Sequence, residues 1–135
     1  EFDVSYRHVL LAKDEWFVAC YLKMPTGDNE QGREKIRELL AARAASQPTN
    51  KPSCGSVFKN PADDYAARLI ELSGLKGKQV GGAQVSTKHA NFILNTGHAT
   101  ASDIEQLMNH VKKAVLEQHG VELEAEVRVI GEVKS

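Results

Sequence analysis

In the stretch PSCGSVFKNP, residues 52–61, a thiol, a hydroxyl, an ammonium and a carboxamide crowd between Cys54 and Asn60. Ser56 closes a turn that contains Gly55, just ahead of a short strand pattern. Its hydroxyl could move a proton, or it could hydrogen-bond its own turn; serine is so common in turns that the second reading is favoured from the turn alone. The G-x-S-x-G pattern of a nucleophile elbow is absent. Lys59 and Asn60 flank what reads as a helix start, where N–H groups and the helix dipole favour a phosphate or a carboxylate. Asn60 equally suits the cap itself. Glu126 lies in EAEVR, where alternation puts Glu122, Glu124, Glu126 and Arg128 on one face, by pattern a solvated strand face. Tyr6-Arg7 is a bare dipeptide.

The remaining chemistry-bearing residues exclude more than they suggest. The five histidines, His8, His89, His98, His110 and His119, are scattered, and none stands at metal-ligand spacing with a cysteine. Cys20 and Cys54 show no CxxC spacing, which suits a reduced intracellular protein rather than a disulfide framework. GLKG (74–77) matches the GxxG of KH-type RNA-binding loops, but a strand pattern follows it where that fold needs a helix. GGAQV (81–85) places two glycines in a strand pattern, the sign of a bulge or of close approach by another backbone or a ligand.

Elements to position these residues follow from periodicity. FDVSYR at the start resembles the inside of a strand, and with Glu1 in place of Met the chain is expected to be a fragment or a processed product. EWFVACYLKM (15–24) carries aromatic and β-branched residues in strand fashion. From Asn29 to about Ala45, Ile36, Leu39 and Leu40 share a helical face. SQPTNKPS (46–53) is the best linker and marks a domain boundary. GSVFKN is a short strand. Asn60 as cap and Pro61 as first residue predict a helix that Gly74 ends. KQVGGAQVS and ANFILN predict two neighbouring strands. Ser102 with Glu105 predicts a capping box for a helix bearing Ile104, Leu107, Met108, Val111 and Val115, which Gly120 stops. ELEAEVRVIG predicts a last strand with Leu123, Ala125, Val127 and Val129 on its apolar face. The order is β-β-α, linker, β-α-β-β-α-β: an α+β fold with a mixed or antiparallel sheet and helices packed on it.

With 135 residues, 41% hydrophobic and 26% charged, the chain is ordinary globular material of one domain's length. A formal net charge of −1 leaves no electrostatic footprint for nucleic acid or an acidic membrane surface. No apolar run approaches the roughly 20 residues a membrane helix needs, and no signal peptide is expected.

Taken in order, YR (6–7), PSCGSVFKNP (52–61), LIELSGLKGKQVGGAQVSTKHANFILN (69–95) and LEAEVRVIG (123–131) resemble the C-terminal part of the UDP-N-acetylenolpyruvoylglucosamine reductase (MurB) family over nearly the whole chain. The spacing from GSVFKNP to QVGG, and STKHANF after it, resemble its type II branch. The resemblance implies a cytoplasmic flavoenzyme of peptidoglycan synthesis, serving cell-wall biogenesis, cell shape and division. NADPH reduces bound FAD, and the flavin delivers hydride to the enolpyruvyl ether of the UDP-sugar, UDP-N-acetylglucosamine enolpyruvate, giving UDP-N-acetylmuramate. Residues 1–48 would finish the FAD-binding domain and 49–135 would form the UDP-sugar domain.

By the same resemblance Arg7, Ser56 and Glu126 are the catalytic residues: Arg7 holds the substrate carboxylate, Ser56 protonates the α-carbon, and Glu126 orients the carboxyl region or shares the proton. Tyr6, Lys59, Asn60 and His89 fall at substrate-binding positions and Gly55 where the backbone approaches the ligand and cofactor. Val9 stands where the family follows Tyr-Arg with a serine. The family's glycine-rich flavin segments are not in this sequence, so the isolated chain is expected to bind no FAD and to turn nothing over. Its strand edges could pair two copies into a dimer. The competing class is a non-catalytic α+β module that keeps a sugar-nucleotide pocket.

Overall fold

The computed structural model describes residues 2–131 and falls into two compact units, Glu1–Arg37 and Glu38–Ser135. In the first, β1 (Asp3–Ser5) and β2 (His8–Leu10) form an antiparallel hairpin. Ser5 pairs with His8, so Tyr6 and Arg7 make a two-residue turn. Such turns demand positive φ at a central residue, usually glycine or asparagine; here Arg7 takes it, at 57°. The strand expected over 15–24 does not form. Trp16, Val18, Tyr21 and Leu22 are largely exposed, and among the described residues nothing pairs with this stretch. An apolar alternation becomes a strand only where a neighbour accepts from its N–H groups and donates to its C=O groups.

Helix α1 runs Asn29–Ser46, close to the expected span. Asp28 Oδ1 accepts from Glu30 N at 2.8 Å and Gln31 N at 2.9 Å, satisfying two donors of the first turn. Ile36, Leu39 and Leu40 of its apolar face are exposed.

The second unit is built on a four-stranded sheet of β3 (Ser53–Ser56), β4 (Gln79–Val80), β5 (Ala83–Val85) and β6 (Phe92–Asn95). Its order is β3-β6-β5-β4 and every pairing is antiparallel. Helix α3 (Ala101–His119) packs on β4 and β5, and α2 (Ala66–Leu72) packs on α3. Leu107, Met108, Val111 and Val115 are the buried face of α3, as their spacing predicts. They meet Phe58, Ile70, Val85 and Leu123 in one core. The α+β architecture is the expected one.

Several elements differ from expectation, each for a local reason. KQVGGAQVS is a hairpin, β4 and β5, folded at its two glycines. Gly81 takes φ 51°, and a Cβ on Gly82 would lie 2.4 Å from the Ala99 nitrogen. The close approach foreseen there is therefore one of backbone to backbone. The capping box of α3 is Thr100 with Asp103, not Ser102 with Glu105: Asp103 N donates to Thr100 Oγ1 at 3.1 Å and Thr100 N to Asp103 Oδ2 at 2.9 Å. Asp103 Oδ2 also accepts from Gly82 N at 3.3 Å, so the frame that wins is the one that docks the glycine turn. GLKG carries α2 into β4, with Gly74 and Gly77 at φ 69° and 79° and Gly77 N donating to Val85 O at 2.9 Å. The last strand is reduced to a single antiparallel bridge, Phe58 with Ala125. Leu123 is buried, Ala125 and Val127 pack partly on the core, and Val129 is exposed.

Candidate active site

Ser56 ends β3, half-buried. Gly55 before it takes φ 83°, a conformation that L side chains rarely adopt, and its Cβ position faces open space. Gly55, Ser53 and Phe92, with Arg43, Thr49 and Lys51, border a cavity of about 550 Å³. After Ser56 the chain dives inward: Val57 and Phe58 are 1% and 2% exposed. The backbone from Val57 to Lys59 is bound on both edges. On one, Glu126 N donates to Val57 O at 2.8 Å and Lys59 N to Glu124 O at 2.9 Å. On the other, Val57 N donates to Asn91 O at 2.9 Å.

These bonds bring Ser56 and Glu126 onto neighbouring segments. Glu126 is half-buried, and its Oε2 is shut off from solvent. The solvated strand face suggested by alternation is thus uneven: Glu122, Glu124 and Arg128 are exposed, Glu126 is not. Lys59 pairs with Glu124, Nζ to Oε1 at 2.5 Å, so its ammonium is engaged within the chain.

Asn60 does not cap the helix directly. α2 begins at Ala66 with Tyr65 as its N-cap residue, and 61–65 form a turn in place of the first helical turn expected from Pro61. Asn60 Oδ1 nonetheless accepts from Ala66 N at 3.1 Å, reaching across that turn to a donor of the same helix end. Asp64 pairs with Arg68 and accepts from Tyr65 N at 2.7 Å. The bond from the Arg68 guanidinium, then the one from the Tyr65 amide, holds the Asp64 carboxyl down to about 2. This end of α2 is served by the chain's own carboxamide and carboxylate, so it is not the open anion site that its sequence suggests.

His89 is half-buried, its ring edge-on to Phe92 with centroids 4.8 Å apart. Burial lowers its pKa, which favours the neutral ring at pH 7. Nδ1 accepts from Asn91 N at 3.3 Å, which leaves Nε2 as the protonated nitrogen of the neutral ring. Through Phe92, His89 adjoins the cavity wall. Cys54 is exposed.

Arg7 and Tyr6 belong to the first unit. The Arg7 guanidinium carbon lies 5.8 Å from the Tyr6 ring centroid, within the range of a cation–π contact. Among the described residues no group of three or more histidine, cysteine or acidic side chains could hold a metal, and no helix is long and apolar enough to cross a membrane. Sequence reasoning missed Asn91. Its signal was a carboxamide standing next to the apolar run FILN, a polar group that burial would force to find partners.

Comparison with known proteins bears on the same residues. Residues 47–130, which include Ser56, Lys59, Asn60, His89 and Glu126, match the family described as UDP-N-acetylenolpyruvoylglucosamine reductase, C-terminal domain. A protein of Methylococcus capsulatus named UDP-N-acetylenolpyruvoylglucosamine reductase is 59% identical over 135 residues, 100% of this chain and 44% of its own length. One of the same name from Thiobacillus denitrificans is 54% identical over 134 residues, 98% of this chain and 41% of its own. This chain therefore spans less than half the length of the curated relatives it matches. The crystal structure of the reductase (MurB) from Thermus caldophilus superposes with a TM-score of 0.63 at 39% identity, over 77% of this chain and 37% of that one. A domain-family match over most of the second unit, full-chain relatives of one name and a shared fold agree: the chain belongs to the UDP-N-acetylenolpyruvoylglucosamine reductase family and carries its C-terminal domain.

Proposed function

We propose that this chain is the substrate-handling C-terminal portion of a cytoplasmic, type II, NADPH-dependent flavoenzyme that reduces UDP-N-acetylenolpyruvoylglucosamine to UDP-N-acetylmuramate for peptidoglycan synthesis. Residues 1–48 complete the flavin domain and 49–135 form the UDP-sugar domain. The observation that carries the reading is the 2.8 Å bond from Glu126 N to Val57 O. It sets a hydroxyl and a carboxyl, 70 positions apart in the chain (126 minus 56), on adjoining segments.

FAD, reduced by NADPH, supplies the hydride. Gly55 fits a place where a flat ligand approaches backbone, because its Cβ position is open and it borders the cavity. The chain's own residues handle the rest. Hydride addition at the β-carbon of the enolpyruvyl group leaves carbanionic charge at the α-carbon, spread into the substrate carboxylate. Arg7 holds that carboxylate with its planar fork of donors and steadies the charge. The Ser56 hydroxyl gives its proton to the α-carbon; it is a weak acid, but the carbanion is a far stronger base. Glu126 orients the carboxyl region and shares the proton. Tyr6, Lys59, Asn60 and His89 contribute to holding the sugar nucleotide. The 135-residue chain alone holds no flavin and is inactive by itself.

In the flavin-loaded reductase carrying Ser56→Ala, flavin reduction by NADPH stays near the parental rate. Reoxidation by the UDP-sugar falls on the order of 10²–10⁴-fold, with little change in substrate affinity. Stopped-flow measurement of the two half-reactions decides it. Undiminished reoxidation with weakened binding would make Ser56 a contact residue and remove it from the chemistry.

A further inference from the structure

Between Ser53 and Ser56 the β3–β6 ladder slips by one residue: Ser53 pairs with Leu94, but Ser56 pairs with Phe92. Past Phe92 the β6 side has little backbone left to offer. Asn91 O takes the Val57 N–H; then the chain bends away through a tight turn, Phe92 N donating to His89 O at 3.1 Å and Ser86 Oγ accepting from Lys88 N and His89 N. The next residue to be satisfied beyond β3 is Phe58, whose two backbone polar groups sit in the core.

The Asn91 side chain meets both. Phe58 N donates to Asn91 Oδ1 at 2.9 Å, and Asn91 Nδ2 donates to Phe58 O at 2.8 Å. This is the donor–acceptor exchange of a hydrogen-bonded antiparallel pair, made by a carboxamide in place of a peptide. Asn91 itself is 4% exposed. On the opposite edge the residues flanking Phe58 carry the bonds to the other segment, Val57 O accepting from Glu126 N and Lys59 N donating to Glu124 O. One side chain therefore holds the strip of backbone from which both Ser56 and Glu126 are hung.

We propose that Asn91 is a positioning residue of the reaction: its carboxamide stands in for the missing strand, fixes Phe58, and through the backbone on either side of it sets Ser56 against Glu126. The proposal rests on the reading of Ser56 and Glu126 given above. The chemistry is selective. A leucine of similar volume offers neither donor nor acceptor. An ionised aspartate offers two acceptors and sets negative charge against Phe58 O. A protonated aspartate restores the carboxamide's pattern, its carbonyl accepting from Phe58 N and its O–H donating to Phe58 O.

That last property gives a test which a merely structural role would not pass. In the flavin-loaded reductase, Asn91→Leu lowers the saturated rate of flavin reoxidation by the UDP-sugar about tenfold to a hundredfold at every pH, with KM little changed and flavin reduction intact. Asn91→Asp is as slow near neutral pH, but its rate relative to the parent recovers as pH falls and the carboxyl takes up its proton. Glu126, Lys59 and His89 are common to both proteins, so the readout is the ratio of variant to parent at each pH, taken below the melting temperature of both. A flat ratio, or Asn91→Leu at the parental rate, overturns the proposal while Ser56→Ala remains slow. Ser56→Ala at the parental rate overturns the site reading and this proposal with it. A measurement on the unsubstituted 135-residue chain needs no variant to fold: hydrogen exchange finds the Phe58 and Glu126 amides protected alike. A Phe58 amide that exchanges a hundredfold faster than that of Glu126 overturns the proposal.

Discussion

Arg7 occupies the second position of a two-residue turn, at a φ of 57°, on a hairpin whose large side chains, Phe2, Val4 and Leu10, are exposed. Ser56 and Glu126 lie beside Val57 and Phe58, which are buried in a backbone strip, residues 57–59, hydrogen-bonded on both edges. All three residues are named by the same family pattern, yet the chain holds them differently. The hairpin is local: its pairing spans residues 3–10, and a bonded pair so short is marginal in water. The Ser56 segment is assembled from partners more than thirty and more than sixty positions away. A residue's type is a local property of the sequence, whereas its preorganisation depends on what the rest of the chain brings to it.

The contrast is broken or sharpened first by truncating one aromatic in each region. Phe58→Ala empties a fully buried site and is expected to cost about 3–5 kcal/mol. Phe17, 60% exposed and edge-on to Phe2 at 4.9 Å, becomes alanine at a cost within about 0.5 kcal/mol. Urea denaturation of the two variants makes the comparison, and equal losses would abolish the distinction. Next in size is Gly82→Ala. The added methyl would sit 2.4 Å from Ala99 N and 2.6 Å from the His98 carbonyl carbon, backbone atoms that move only if the start of α3 moves. A loss of about 1–3 kcal/mol is expected, with exchange of the α3 amides accelerated and that of the hairpin unchanged.

What the sequence makes legible divides along the same line. Periodicity is a local signal, and α1 and α3 were readable from it, as was the stop at Gly120, which takes φ 68° at the C-cap. The segment 15–24 has the residue types of a strand, but strand formation needs a pairing edge that its own pattern cannot reveal. For the same reason EAEVRVIG was readable as apolar alternation, while its reduction to one bridge at Ala125 was not. At the candidate site Ser56 and Glu126 were identifiable only through the family pattern; taken singly they suggested a turn serine and a solvated glutamate. Asn91 went unread because its role depends on the register slip between Ser53 and Ser56, a property of two strands and not of either one. The α3 cap illustrates a near miss: Thr100 with Asp103 and Ser102 with Glu105 offer the same spacing two residues apart, and contact with Gly82 selects the first.

The cap selection gives a smaller, sharper measurement. Thr100→Ala removes the acceptor for Asp103 N and should cost about 1 kcal/mol. Ser102→Ala, whose hydroxyl accepts only an exposed bond from Gln106 in the described structure, should change stability by a few tenths, since alanine is also the better helix former. Equal losses in thermal melts would return the helix start to the frame read from sequence.

The smallest effect expected is an acid response of the second unit. Asp64 is held down to about 2 by Arg68 and the Tyr65 amide. Asp103 is lowered by the Thr100 amide first, then by the Thr100 hydroxyl and the Gly82 amide. In both, the folded state favours the ionised carboxylate relative to the unfolded chain, whose ordinary value is 3.8. Above 3.8 the stabilisation is fully present; as pH falls the unfolded chain protonates first, so the advantage drains away, for Asp64 between 3.8 and about 2. Both carboxylates are half-buried and still reached by solvent, so water and salt screen them and the loss is modest. Denaturation midpoints followed from pH 5 to pH 2 at low salt should fall more steeply for the parent than for Asp64→Asn, and the difference should narrow when salt is added. Parallel slopes would mean that the Asp64–Arg68 pair contributes nothing to holding the start of α2. The turn between Asn60 and Ala66 would then be held there by the Asn60 carboxamide, a group that does not titrate.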